Sequence, residues 1–293
     1  MAEKRRTAVV GTIAAVTIGA IVAWAGSQGG ATLGAAPVFA IAVGLAYLVQ
    51  WLVFIPSYLL HTEHFYDLTG SLTYISVMSF AVFAGGNLSA RSILLLVLVL
   101  IWAGRLGTFL FRRVRRAGKD ERFDRIKHSL PDFLMTWTLQ GLWVSLTLAA
   151  ALAAVTSDSS AGLDALAFIG LGVWIVGFAT EATADHQKNR FRADPENRGS
   201  FISSGLWSLS RHPNYLGEII LWIGVAIIAL PILSGWQLAT LISPVFVYVL
   251  LTRVSGIPLL EKRAEEKWGG QDAYESYKAR TPVLVPWIGR TSR

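Results

Sequence analysis

Eight apolar stretches follow one another along this 293-residue chain, near residues 8–28, 34–60, 71–86, 91–111, 133–156, 162–181, 215–232 and 236–252. Several approach the roughly 20 residues that an α-helix needs to cross a bilayer. The chain is therefore read as all-α, a polytopic transmembrane helix bundle of about eight spans. Its composition agrees: 53% of residues are hydrophobic, 15% are charged, and eleven are tryptophan. The first stretch is long for the apolar region of a signal peptide, and no convincing cleavage site precedes the second, so it is read as a span. There is no cysteine, which excludes disulfides and thiolate metal sites.

The net charge of +7 would suggest nucleic acid in a soluble protein, but its distribution points elsewhere. Of 26 Lys and Arg, three lie in the N-terminal tail, eight between Arg112 and Lys127, five between Lys188 and Arg211, and eight from Arg253 onward. The alternate connections, around Ser27–Thr32, Gly85–Ala90, Thr156–Asp164 and Pro231–Trp236, carry none. Basic loops stay cytoplasmic, so both termini are expected on the cytoplasmic side, as in a bacterial inner-membrane protein with an even number of spans. Anionic membrane lipid is the expected neighbour of these loops, and nucleic acid is not. Two cations escape the pattern. Arg91, at a helix start, is expected to snorkel to the outer interface, and Arg105, inside the fourth span, to point into a water-filled cavity.

Polar chemistry concentrates in S-G-L-W-S-L-S-R-H-P-N-Y-L-G-E, residues 204–218, which opens directly into the apolar run Ile219–Ala229. Arg211, His212, Asn214, Tyr215 and Glu218 at the mouth of a hydrophobic helix need partners, and a polar cofactor is the natural one. Upstream, Glu181, Asp185, Lys188 and Arg192 fall at i, i+4, i+7 and i+11, one face of a helix emerging from the sixth span. Arg112, Arg113, Arg115 and Arg116 cap the fourth span, where guanidinium forks suit phosphate oxygens. The following D-E-R-F-D-R-I-K mixes charges as a solvated interfacial helix does. His61, Glu63 and His64 are too few for a metal site, and no metal is expected.

The motifs A-D-x-Q-K-x-x-F-R-x-D-P-x-N-x-G and S-G-L-W-x-x-S-R-H-P-N-Y-L-G-E resemble the membrane steroid 5α-reductase superfamily, in particular its bacterial, DUF1295-type branch. F-Y-D-L-T-G-S-L-T-Y and the C-terminal Y-x-x-Y-K-x-R-T-P-V-L-V-P-W extend the likeness over roughly residues 60–290. The resemblance implies a seven-span reductase domain over residues 34–293, preceded by an added transmembrane helix at 1–33. It further implies cofactor-binding loops on the cytoplasmic side, NADPH as hydride donor, and a lipophilic enone, such as a 3-oxo-4-ene steroid, as acceptor. Carried over, the cofactor contacts fall on Asp185, Arg192, Asn214 and Arg253, with Glu218 supporting the turn and Arg113 and Arg116 nearby; Arg105 corresponds to an arginine of the same helix. The family's catalytic tyrosine falls on Trp102, and its glutamate close to Asp67. Indole donates a hydrogen bond but no proton, so Asp67 becomes the candidate acid, with Tyr66 or Tyr74 as a source of hydroxyl. Asp67 has a second reading, as a cap of a helix starting near Gly70.

A second enzyme class shares part of this signature. Membrane methyltransferases resembling the isoprenylcysteine carboxyl methyltransferases also carry R-H-P-x-Y-x-G, there beside S-adenosylmethionine, and Glu261 after Arg253 resembles their pattern. Asn214, Asp185, Arg192 and the surplus arginines favour a phosphate-bearing cofactor instead. A scaffold or lipid carrier would lack such a charged floor, and a transporter would show repeats between its halves, which are absent.

Overall fold

The computed structural model describes residues 2–117 and 123–286, without the side chains of Ala2, Lys4 and residues 112–117. Among these, eight helical segments are long and apolar enough to span a membrane, from Arg5–Gly26 to Gly235–Trp268. The eight apolar stretches of the sequence thus become eight helical segments of a polytopic bundle. The chain divides into two compact units, Met1–Ala167 with Ala226–Ser243, and Phe168–Val225 with Pro244–Arg293.

In the first unit, helices α1 (Ala2–Gly26), α2 (Val38–Leu59), α3 (Tyr66–Gly85), α4 (Ala90–Ala117) and α5 (Leu130–Thr156) pack together. The centre is α5, whose run from Leu142 to Thr156 is almost wholly buried because its Ala, Ser and Thr residues let neighbours approach from every side. Close contacts set the spacing. A Cβ at Gly11 would meet the Met135 sulfur at 2.6 Å, and one at Gly141 would meet Tyr47 at 3.0 Å. A two-stranded hairpin, β1 (Thr32–Leu33) and β2 (Ala36–Pro37), turns the chain from α1 into α2.

Arg91 does not snorkel: it is 1% exposed. Its Nε and Nη2 donate to the Gly162 carbonyl at 3.2 and 2.7 Å, and its Nη1 donates to the Ile228 carbonyl at 2.7 Å. Nη2 also meets Asp164 Oδ1 at 2.8 Å. The Ile228 carbonyl belongs to the last turn of α7 (Pro213–Ala229), where acceptors lack intrahelical partners. A buried guanidinium that answers them costs less than a lipid-facing one.

The segment after Arg122 is no solvated helix. Phe123 is 3% exposed and packs on Tyr66, with ring centroids 4.8 Å apart, within an aromatic cluster that includes Phe133 and Trp137. Lys127 Nζ reaches the buried Glu63 carboxylate at 2.8 Å, and Ile126–His128 forms a short 3₁₀ turn; residues 120–122 of the charged run lie outside the described residues. One aromatic side chain in the middle of a charged run outweighs its helical charge spacing.

The second unit holds α6 (Ala165–Ala193), most of α7, and α8 (Ile242–Val249), α9 (Ile257–Trp268) and α10 (Asp272–Arg280). At 29 residues α6 is about 43 Å long, well beyond a hydrocarbon core of ~30 Å, so its last turns stand clear of the apolar region. It meets α7 through glycines: a Cβ on Gly217 would lie 2.5 Å from the Glu181 nitrogen, and one on Gly224 would lie 2.6 Å from the Gly170 carbonyl. The final span is irregular where the sequence suggested one helix. It passes from a 3₁₀ stretch at Gly235–Leu241 through α8 to a π-helical stretch at Leu250–Val254, then breaks before α9. Pro244 in its first turn and Gly256 at its end punctuate it.

Candidate functional site

The long α6 carries the site. Its exposed end is roofed by the S-G-L-W segment, which is pinned at several points. Gly205, at φ +62°, brings the backbone against Gln187, whose Oε1 accepts from the Leu206 amide at 3.0 Å. Trp207 Nε1 donates to the Ala184 carbonyl at 3.0 Å, and the Tyr277 hydroxyl donates to the Trp207 carbonyl at 2.7 Å. The Arg211 amide donates to Pro282 O at 2.9 Å. The roof is thereby tied to both α6 and α10.

Beneath it lies a cavity of about 330 Å³, lined by Lys188, Phe191, Arg192, Phe201, Trp207, Arg211, His212, Glu261, Arg263, Lys267, Trp268, Tyr274 and Tyr277 among others. Phe201 is its aromatic hub, with centroids 5.7 Å from Trp268, 5.2 Å from Tyr274 and 5.3 Å from Tyr277. Lys188 Nζ stands 4.4 Å over the Trp207 ring, and Lys267 Nζ 4.7 Å over that of Trp268. Five Lys and Arg side chains and one carboxylate face the cavity. Flat apolar walls and surplus positive charge suit a ligand that joins an aromatic base to phosphates.

The carboxylate organises two of these groups. Glu261 Oε2 pairs with Arg211 Nη1, and Oε1 meets His212 Nε2 at 2.7 Å. His212 therefore bonds a carboxylate of the protein itself, where the sequence suggested a polar cofactor as its partner. Burial lowers its pKa from the ordinary value, and the Glu261 hydrogen bond opposes that only in part. A neutral ring donating from Nε2 leaves Nδ1 as a buried acceptor without a bond. Tyr215 stacks on this imidazole with a 12° interplanar angle and centroids 5.8 Å apart.

Of the residues expected to hold a cofactor, Arg192, Arg211 and His212 line the cavity. Asp185, Asn214, Tyr215, Glu218 and Arg253 do not line it. Asp185 is 6% exposed on α6, Asn214 has a buried Oδ1 without a hydrogen bond, and Arg253 is exposed in the π-helical stretch. Arg113 and Arg116 fall outside the residues whose side chains are described. The cavity adds Phe201, Arg263, Lys267 and Trp268, which no sequence motif marks, and Lys188, Tyr274 and Tyr277, which lie in the quoted stripe and motifs without a site role assigned there. For Tyr274 and Tyr277 the i, i+3 spacing alone equally suits a buried helix face.

The catalytic candidates lie in the first unit. Asp67 belongs to the first turn of α3, a helix that begins at Tyr66 and not near Gly70, so its backbone is inside the helix and it is not the cap. Asp67, Ser71 and Tyr74 share one face at i, i+4 and i+7. That face meets α4: Tyr74 is perpendicular to Trp102 at 5.0 Å, and a Cβ on Gly107 would fall 2.6 Å from Ser71. Trp102 is 2% exposed, and Arg105 follows it one turn along α4, partly exposed. Tyr66 points differently, donating its hydroxyl to the Thr136 carbonyl at 3.2 Å within the aromatic cluster. Among the described residues no group of three or more His, Asp or Glu is placed to hold a metal.

Fold and site together define a polytopic helical membrane protein with a basic, aromatic-walled cavity at the end of a spanning helix. Residues 53–281 match the family described as "Protein of unknown function (DUF1295)", and the chain belongs to that family. It is similar to 3-oxo-5-alpha-steroid 4-dehydrogenase 1 of Rattus norvegicus, at 25% identity over 120 residues, covering 41% of this chain and 40% of that protein. A shorter stretch of 80 residues is 39% identical to a probable 7-dehydrocholesterol reductase of Acanthamoeba polyphaga mimivirus, covering 22% and 17%. Another, of 94 residues, is 34% identical to the probable O-methyltransferase ustE of Ustilaginoidea virens, covering 30% and 33%. The chain thus spans 40% or less of the length of these relatives. No solved structure matches it.

Proposed function

We propose that this protein is an NADPH-dependent membrane reductase acting on the conjugated C=C of a lipophilic enone, possible substrates including a 3-oxo-4-ene steroid. The observation that carries the reading is the 330 Å³ cavity with its five cationic side chains and aromatic walls, at the end of α6. Its chemistry fits a dinucleotide phosphate: Arg192, Lys188, Arg263 and Lys267 offer charge to phosphate oxygens, and Phe201 and Trp268 offer faces to a base. The similarity to a 3-oxo-5-alpha-steroid 4-dehydrogenase and to a probable 7-dehydrocholesterol reductase supports this reading. When bound, NADPH supplies the hydride. The chain's own share is to hold the phosphates, exclude water and polarise the acceptor's oxygen, with Asp67 as the acid and Trp102, packed on Tyr74 of the same α3 face, as an indole donor. Asp185, Asn214, Tyr215, Glu218, Arg253, Arg105, Arg113 and Arg116 complete the proposed cofactor set.

We read the protein as a member of the bacterial branch of the superfamily, in the inner membrane with both termini cytoplasmic, residues 34–293 forming the reductase domain and 1–33 an added helix; the apolar spans and the distribution of Lys and Arg support the membrane reading. Its partners are the lipophilic substrate and membrane lipid. One observation favours a second reading, an S-adenosylmethionine-dependent methyltransferase: Glu261 holds Arg211 and His212 of R-H-P-N-Y, and a methyltransferase is among the similar proteins. Thermal shift of the purified protein with NADPH, NADH and S-adenosylmethionine separates the two. Stabilisation by NADPH alone is expected; stabilisation by S-adenosylmethionine alone would replace the reductase by the methyltransferase.

A further inference from the structure

A second cavity, of about 1,270 Å³, lies in the first unit between the N-terminal turns of α1 and α5. It exceeds the roughly 300–1,000 Å³ of an ordinary small-molecule pocket. Its lining is sorted by depth. Arg5, Arg6 and Asp132 stand in the first turns of their helices, Val10 and Ile13 line it one to two turns deeper along α1, and Leu134 follows Asp132 about half a turn along α5. Val10 and Ile13 are 56% and 61% exposed, and both arginines are exposed as well, so the groove opens sideways along helices that span the membrane.

Arg5 and Arg6 belong to the basic N-terminal tail and Asp132 to the first turn of α5, so each charge also serves its own helix, but all three line one groove. An apolar groove needs no charge to pack, and the nearby α1–α5 contact is made by small residues, Gly11 against Met135. Two guanidinium groups answer a phosphate diester, whose single negative charge accepts bidentate hydrogen bonds. The Asp132 carboxylate, in the same lining but on α5, would repel a purely anionic headgroup, but it suits a headgroup carrying an ammonium beside the phosphate. Apolar residues below the charges suit acyl chains.

We propose that this groove seats one phosphatidylethanolamine molecule, with its phosphate on Arg5 and Arg6, its ammonium on Asp132, and an acyl chain along Val10, Ile13 and Leu134. The site stands apart from the proposed reductase chemistry and does not depend on it.

Native mass spectrometry of the full-length protein, loaded from vesicles of equal phosphatidylethanolamine, phosphatidylglycerol and phosphatidylcholine, tests this directly. Wild type is expected to retain one phosphatidylethanolamine through detergent washing. Arg5→Gln with Arg6→Gln should lower that retention at least tenfold, while the double Lys variant keeps most of it. Asp132→Asn should shift retention toward phosphatidylglycerol. Ile13→Trp, which blocks the chain groove without changing charge, should lower retention of every lipid. Preference of the wild type for phosphatidylglycerol or phosphatidylcholine, loss of all lipid on washing, or equal retention by the double Gln variant would overturn the proposal.

Discussion

Glu261 illustrates how a single residue reshapes the meaning of a motif. R-H-P-N-Y presents arginine and histidine as if for a ligand, yet both already bond one carboxylate from α9. Phosphate contacts therefore fall first on residues that Glu261 does not engage, and Arg192→Ala is expected to weaken NADPH binding roughly 10–100-fold, the loss of a charged hydrogen bond, measured by calorimetry. His212 adds a pH dependence. Burial holds its folded-state pKa below the ordinary 6.5, so the unfolded chain takes up a proton first as pH falls. Stability contributed by the neutral ring is present above 6.5 and is lost as pH drops toward the folded value. Melting temperature in detergent should therefore fall below that pH, and His212→Gln should flatten the slope. In the first unit, Asp67→Asn should cut turnover by about 10²–10⁴ while NADPH affinity stays unchanged, because the role proposed for the residue is on the substrate's oxygen and not on the phosphates. Unchanged turnover would remove Asp67 from the chemistry.

At the level of elements, stability rests on two kinds of close approach. Gly217 lets α7 lie against α6 so tightly that a methyl group would meet backbone nitrogen and oxygen at 2.5 and 2.6 Å. Backbone cannot rotate away as a side chain can, so Gly217→Ala should cost about 1–3 kcal/mol and be seen as a lower melting temperature. Arg91 acts by bonding. Its removal leaves the Gly162 and Ile228 carbonyls without their donor, each at about 1–3 kcal/mol, whereas the Asp164 pair adds little because that carboxylate is 46% exposed. Arg91→Ala should therefore destabilise by about 3 kcal/mol or more, and Arg91→Lys should not restore it, since one ammonium cannot reach two carbonyls in a fixed fork. These elements also show where reading by periodicity stops. The stripe Glu181–Arg192 was legible as a helix beyond the membrane, and α6 does run to Ala193. The π-helical stretch carrying Arg253 was not, because apolar residues around it fit a regular helix equally well and only the packing of Gly256 on Tyr215 and Leu251 selects the wider turn.

Across the whole molecule, the proposed sidedness rests on where the cations lie along the chain. Under the proposed topology, with both termini and the basic loops cytoplasmic, Ser276→Cys should react only with reagent on the cytoplasmic face, and Ser159→Cys only with reagent on the other. The absence of native cysteine makes both readings free of background. Labelling of both positions from the same side would overturn the topology. The number of spans, their approximate positions and the alternation of basic and cation-free connections could be read from residues alone, because hydrocarbon demands about 20 apolar residues in a row and most stretches come close to that length by themselves. Which polar side chains converge could not. Phe201, Trp268, Tyr274 and Tyr277 form one aromatic wall, Arg211 and His212 share Glu261, and Arg91 turns inward, all through contacts between residues distant in sequence. A lone arginine or tyrosine has the same composition whether it faces lipid, water or a carbonyl; only tertiary packing supplies the partner that decides its role.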